Sequence, residues 1–148
     1  MSRPVIFLGA DHNGYRLKEL LKQWLVSQGI TVRDTGAVKR APHDDYPVFA
    51  ATVANAVSRG KGLGLLMCGS GHGMAIAANK FPRVRAALCT TPFSARMARH
   101  DDHANILALA AWETTAAQAK KILAAWLKTI PSRVARHRRR VAMIEHFR

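Results

Sequence analysis

Short apolar runs alternate with longer stretches of helical period along the chain. Residues 4–9 form a β-rich apolar run closed by a glycine, a strand pattern. Leu17, Leu20, Leu21, Trp24 and Leu25 follow at i, i+3, i+4, i+7 and i+8, which predicts one apolar helix face. Gly29 stands where that helix should stop. Residues 30–32 read as a second short strand, and 35–45, with Gly, Pro, His and Asp, as a loop. The Ala- and Val-rich stretch 46–58 predicts a helix, with Pro47 tolerated in its first turn. Residues 63–67 predict a third strand, apolar as a strand covered on both faces should be. A small-residue helix over 74–80, a strand over 84–89, a helix over 92–100 and a strand over 105–109 follow. Ala119, Ile122, Leu123, Trp126 and Leu127 share one face of a longer helix. Pro131 breaks the chain, and Ser132 is placed to cap a final Arg-rich helix with Val134, Val141 and Ile144 turned inward.

Five strand–helix alternations predict an α/β layered domain: a five-stranded, mostly parallel sheet with right-handed crossovers, plus the Arg-rich C-terminal helix. No repeat or linker divides residues 1–148, so a single domain is expected. In such sheets ligands collect outside the carboxyl ends of the strands.

Composition narrows the function classes. At 148 residues, with 49% hydrophobic and 22% charged, the chain has ordinary globular make-up, which argues against disorder. Two cysteines are too few for a disulfide framework, and no apolar run approaches the ~18 residues of a membrane span. The N-terminus reads as a buried strand and not as a secretory leader, so a cytoplasmic location is expected. The unusual number is the charge: 23 Lys+Arg against 9 Asp+Glu gives +14. It suits either a polyanion such as nucleic acid or a small anionic ligand. The basic residues are scattered and the aromatics fall largely at core-like helical positions such as Trp24 and Trp126, which disfavours nucleic acid.

Candidate chemistry falls at strand ends. Gly9-Ala10-Asp11-His12-Asn13-Gly14 follows the first strand, and Asp11-His12 there can hold a polar ligand. Cys68-Gly69-Ser70-Gly71-His72-Gly73 follows the third. Gly69, Gly71 and Gly73 let backbone N–H groups turn inward and cradle an anion. The same field favours the thiolate form of Cys68, as base or nucleophile, and Ser70 adds a hydroxyl donor. The bland alternative is a tight βα turn with an inert cysteine. No Gly-Lys-Ser/Thr follows, so the loop is not a nucleotide P-loop. The run His100, Asp101, Asp102, His103 invites a metal, yet no second cluster of suitable spacing accompanies it, so no metal is expected. Arg133, Arg136 and Arg140 fall on one face of the last helix and can clamp phosphate.

Taken in order, these motifs resemble the type B ribose-5-phosphate isomerase family, which includes allose-6-phosphate and galactose-6-phosphate isomerases. The carriers are the 9–14 motif with Lys18, Asp45-Tyr46-Pro47, the 68–73 loop, Ile76-Ala77-Ala78-Asn79-Lys80, Pro92-Phe93-Ser94-Ala95, Asn105-Ile106-Leu107 and Arg136-His137-Arg138-Arg139-Arg140. The resemblance implies a metal-free, cofactor-free aldose–ketose isomerase of a phosphorylated sugar, ribose 5-phosphate to ribulose 5-phosphate. It also implies a three-layer α/β/α, Rossmann-like sandwich, and a homodimer or homotetramer whose active sites are built from two subunits. Cys68 would be the base moving a proton between C1 and C2 through a cis-enediol(ate). Ser70 and the amides of Gly69, Gly71 and Gly73 would hold the oxyanion. Asp11 and Tyr46 would contact sugar hydroxyls, and His12, Arg136 and Arg140 the phosphate.

Two positions depart from the family pattern. Aligned on Asn105, Asp101 and Asp102 stand where the family has a His-Asn pair whose histidine opens the furanose ring. Ring opening then falls to His100, His103 or Asp101, with Asp102 in the substrate-binding set, or is not needed for a linear tetrose phosphate. After the fifth strand the family carries Gly-x-Arg, where this chain has Ala110-Ala111-Trp112.

Overall fold

The computed structural model describes residues 3–36 and 41–147. Its elements in chain order are β1 (Ile6–Ala10), α1 (Tyr15–Ser27), β2 (Val32–Asp34), α2 (Tyr46–Ser58), β3 (Leu63–Cys68) and α3 (His72–Ala78). They continue with β4 (Ala86–Leu88), α4 (Pro92–Asp101), β5 (Ile106–Ala110), α5 (Ala116–Lys128) and α6 (Ala135–Glu145). The strands lie in the order β2-β1-β3-β5-β4, every pair parallel.

The period-two alternation of the strands sorts the core into two layers. Ile6, Leu8, Leu65, Met67, Leu107 and Leu109 pack with α1 and α5, around the fully buried Trp126. Phe7, Leu66, Cys68 and Ile106 face the other way, onto Val53 of α2 and Met74 of α3. Cys68 therefore ends β3 on the α2–α3 side. The order reverses between β1 and β3, so the crevice beyond their carboxyl ends is the switch point of the sheet. Asp11 and Cys68 both stand there.

Local signals explain most boundaries. Gly29, at φ +70°, follows the end of α1. Thr91 and Ser94 form a capping box at α4, as do Thr115 and Gln118 at α5. Several expectations shift. β2 runs over 32–34, beyond the apolar 30–32, because pairing with β1 sets its register. Helix α3 begins at His72 rather than 74, because the left-handed turn at Gly71 starts it directly. Positions 37–40 of the expected 35–45 loop lie outside the described residues.

The last helix differs most from the sequence pattern. It begins at Ala135, so Arg133 precedes it and the arginine row on the helix reduces to Arg136 and Arg140. Ser132 Oγ accepts from the Val134 amide at 3.1 Å, one turn ahead of the helix, and does not cap it. Val134 and Ile144, expected inside, are 46% and 42% exposed. Polar contacts dock the helix instead: His137 against Asp101, and Glu145 on Arg85. His137 is its buried residue.

A buried cation ties α1 to β2. Lys18 is fully buried, and its Nζ donates to both carboxylate oxygens of Asp34 at 2.9 Å. Lys22 adds a third bond at 2.7 Å. Burial alone would push the Asp34 carboxyl up, but the bonds from Lys22, Lys18 and the Gly36 amide outweigh it and hold it below the usual range. The stability this adds is complete above the ordinary aspartate value of about 4 and is lost as pH falls through the lower folded value. Urea midpoints measured on acidification below about pH 4 are therefore expected to fall less steeply in Asp34→Asn than in the wild type.

Candidate active site

Asp11 closes β1 as a buried carboxylate whose Oδ1 accepts the amides of Asn13 and Gly14, each at 3.0 Å. This turn leads the chain into α1 and spends one of the two oxygens. His12, next to it, is held by Asp44 from the loop before α2. Asp44 Oδ1 lies 2.9 Å from the His12 backbone N–H and 2.8 Å from ring Nδ1.

The glycine loop surrounds Cys68, which is 5% exposed. The Gly71 amide donates to Cys68 Sγ at 3.1 Å. One of the amides expected to face an oxyanion thus faces the sulfur. Ser70 Oγ accepts from the His72 amide at 3.4 Å. Burial pushes the Cys89 thiol up, against a hydrogen bond with Ser94.

Two aromatic side chains press on the loop glycines. The Trp112 indole lies on Gly69 and its amide donates to the Gly69 carbonyl at 2.9 Å. The Tyr46 ring lies on Gly73. Any β-carbon at 69 or 73 would enter those rings. Trp112 remains 71% exposed beside the loop. Gly71 is constrained differently, with φ +78° and a β-carbon position 2.5 Å from Leu88 Cδ1. Gly71→Ala is expected to lower unfolding free energy by about 2–4 kcal/mol, from left-handed strain plus overpacking, measured by urea titration.

The remaining candidates gather elsewhere. α4 runs back from the carboxyl edge of the sheet, so His100 and Asp101 reach the amino edge, near the start of β5. That edge lies about 13 Å from Cys68, four residues of strand away. There His100 Nδ1 is 2.7 Å from Asp101 Oδ1, and His137 Nδ1 is 3.6 Å from the same oxygen. The His100 hydrogen bond, with the His137 and Arg136 charges, holds the Asp101 carboxyl below its usual range. His103 is tied down, with Nε2 2.9 Å from the Ser132 carbonyl, and burial and nearby Arg85 and Arg99 hold its imidazole below the usual histidine range. Asp102 caps the end of α4 and lines a groove of about 960 Å³ between segment 79–87 and α6. Asp11, His12, Cys68 and Ser70 do not line that groove. Arg136 and Arg140 are exposed, one turn apart on α6.

Among the described residues, two trios bring metal-ligating atoms within 4.8 Å of one another: Asp11, His12 and Asp44, and His100, Asp101 and His137. In each, a carboxylate already sits in hydrogen-bond range of an imidazole Nδ1, the arrangement of an oriented acid–base pair. The sequence assigns no role to Asp44 or to His137, although His137 falls within the 136–140 motif. Their partners lie 32 and 36 residues away, and no local pattern marks either pairing.

A parallel α/β sheet with a cysteine, a glycine loop and an Asp-His pair at its switch point defines an α/β enzyme acting on a small polar substrate. Residues 6–144 match the Ribose/Galactose Isomerase family, and the chain belongs to it. Ribose-5-phosphate isomerase B of Escherichia coli (strain K12) is 39% identical over 140 residues, covering 94% of this chain and 93% of that protein. D-erythrulose-4-phosphate isomerase of Pectobacterium atrosepticum is 39% identical over 123 residues, 82% of this chain and 81% of that one. The structure of ribose-5-phosphate isomerase B from Mycoplasma genitalium with bound ribulose-5-phosphate superposes with a TM-score of 0.92 at 38% identity, covering 95% and 93% of the two chains. The chain is thus a sugar-phosphate isomerase of the ribose-5-phosphate isomerase B type. No helix among the described residues is long and apolar enough to cross a membrane.

Proposed function

We propose that this protein interconverts ribose 5-phosphate and ribulose 5-phosphate without a metal, through a cis-enediol(ate). The observation that carries the reading is Cys68 and the Asp11–His12 pair at one switch point, with the Gly71 amide on the sulfur. The Cys68 thiolate takes the proton from C2 of the aldose and becomes the thiol. The C–H electron pair becomes the C1–C2 double bond, and the carbonyl pair moves onto O1. The O2 proton passes to O1, the electrons on O2 re-form a carbonyl at C2, and the thiol returns its proton to C1, which leaves the ketose. Ser70 and the remaining loop amides hold the oxygen on which charge grows, and such aimed donors act mainly on the transition state. Asp11 and Tyr46 bind sugar hydroxyls.

The second half of the site comes from a partner copy. His100, Asp101, Arg136 and Arg140 sit at the sheet edge opposite Cys68, so one chain does not complete its own site. In a homodimer the two edges meet, and the arginines close on the phosphate with His12. His100 is the ring-opening group in this reading, because Asp101 anchors its Nδ1 and leaves Nε2 for the ring oxygen, whereas His103 is occupied by Ser132.

A tetrose 4-phosphate is the second reading, favoured by the likeness to the Pectobacterium enzyme. Purified protein assayed on tetrose, pentose and hexose phosphates decides between them. The highest kcat/KM is expected on ribose 5-phosphate, unchanged by EDTA. A higher value on the tetrose overturns the pentose assignment, and loss of rate with EDTA overturns metal independence.

A further inference from the structure

We propose that Asp44 is a positioning residue for phosphate binding, fixing the His12 ring so that Nε2 meets the substrate phosphate. One carboxylate oxygen engages both the backbone N–H and the ring Nδ1 of His12, at 2.9 and 2.8 Å. Those two bonds fix the peptide and the ring together. An ionised carboxylate only accepts hydrogen bonds, so Nδ1 carries a hydrogen and the ring presents Nε2 outward, to accept from a phosphate hydroxyl or, in the imidazolium form, to donate to a phosphate oxygen. Nε2 has no hydrogen-bond partner among the described residues, which leaves it for a ligand. The pair is largely screened from water, with side-chain exposures of 25% for His12 and 12% for Asp44. An oriented ring loses little freedom when the phosphate arrives, which is how preorganisation raises affinity.

A second observation sets this pair apart from a closed structural bridge. Asp44 Oδ2 is buried and has no hydrogen-bond partner among the described residues. Buried polar atoms are nearly always paired, so an open one beside Asp11 and His12 marks a place where a ligand hydroxyl or water belongs. Asp44 also precedes Tyr46, whose ring lies on Gly73. Its grip on His12 therefore links the Asp11 turn to the wall of the Cys68 loop.

The inference rests on the sugar-phosphate reading, and its test separates the two. Inorganic phosphate binding is measured by calorimetry on wild type, Asp44→Ala, Asp44→Asn, His12→Ala and the Asp44→Ala/His12→Ala double variant. Asp44→Ala and His12→Ala are each expected to weaken phosphate about tenfold, and the double variant no more than His12→Ala alone. Asp44→Asn keeps an acceptor oxygen and is expected to stay within about threefold of wild type. With sugar phosphate, the same loss is expected in KM, with kcat little changed. Asp44→Ala binding phosphate as wild type does, or losses that multiply in the double variant, overturns the proposal. Calorimetry reads the cycle even if no sugar phosphate is isomerised, so failure of the isomerase reading stays distinguishable.

Discussion

Replacing Cys68 by alanine is expected to abolish isomerisation, lowering kcat by about 10³-fold or more while the protein stays folded. The side chain ends β3 in a buried position, and alanine removes little more than the sulfur, so a modest stability loss is the only structural cost. In the proposed mechanism the sulfur is the buried group of the glycine loop that holds and returns a carbon-bound proton, whereas the His72 side chain is exposed. Ser70 and the amides stabilise charge but cannot accept that proton at neutral pH. Cys68→Ser is the sharper variant, because its hydroxyl nearly conserves shape and keeps the Gly71 amide paired. It is a far weaker base than a thiolate and is expected to be as inactive as alanine. The direct readout is exchange of the substrate C1 or C2 hydrogen with deuterium from solvent, followed by NMR. Full exchange in either variant would remove the cysteine from the mechanism.

Two inactive variants are expected to restore activity when mixed. Cys68→Ala lacks the proposed base. Arg136→Ala/Arg140→Ala lacks the proposed phosphate clamp, and removing both guanidinium groups is expected to lower kcat/KM about 10²-fold or more. If each site takes Cys68 from one chain and the arginines from the other, a mixed dimer carries one wholly intact site and one doubly defective site. Unfolding and refolding an equal mixture is expected to give about a quarter of the wild-type rate, since half of the dimers are mixed and half of their sites work. Unmixed controls stay inactive. No recovery in refolded mixtures would place both residues in the same chain's site, against the separation of the two sheet edges. The apolar side chains left exposed at α6 and just before it, among them Val134 and Ile144, supply surface for such an interface.

Much of the candidate site was legible in the chain because its signals are local. Asp11-His12 and the 68–73 loop each occupy a few consecutive residues at the end of an apolar run. Position at a strand end is enough to place them on the carboxyl edge of a parallel sheet. The His/Asp run at 100–103 and the arginine row of the last helix were legible as motifs. Which of His100, Asp101 and His103 stays available for chemistry was not. His103 closes on the Ser132 carbonyl, and Asp101 collects two imidazoles, one from each of two helices.

The sequence by itself determined the alternation of strands and helices, the two-layered core and the glycine loop around Cys68. These follow from side-chain periodicity and backbone freedom, which act over a few residues. Tertiary structure alone decided which distant groups meet: Asp44 on His12, Asp34 on the buried Lys18, His137 on Asp101. It also decided that Val134, just before α6, and Ile144 within it are exposed, against their apolar character. Such contacts arise from the docking of whole elements, where hydrogen-bond geometry and the shape of the sheet edge outweigh the preference of any one residue.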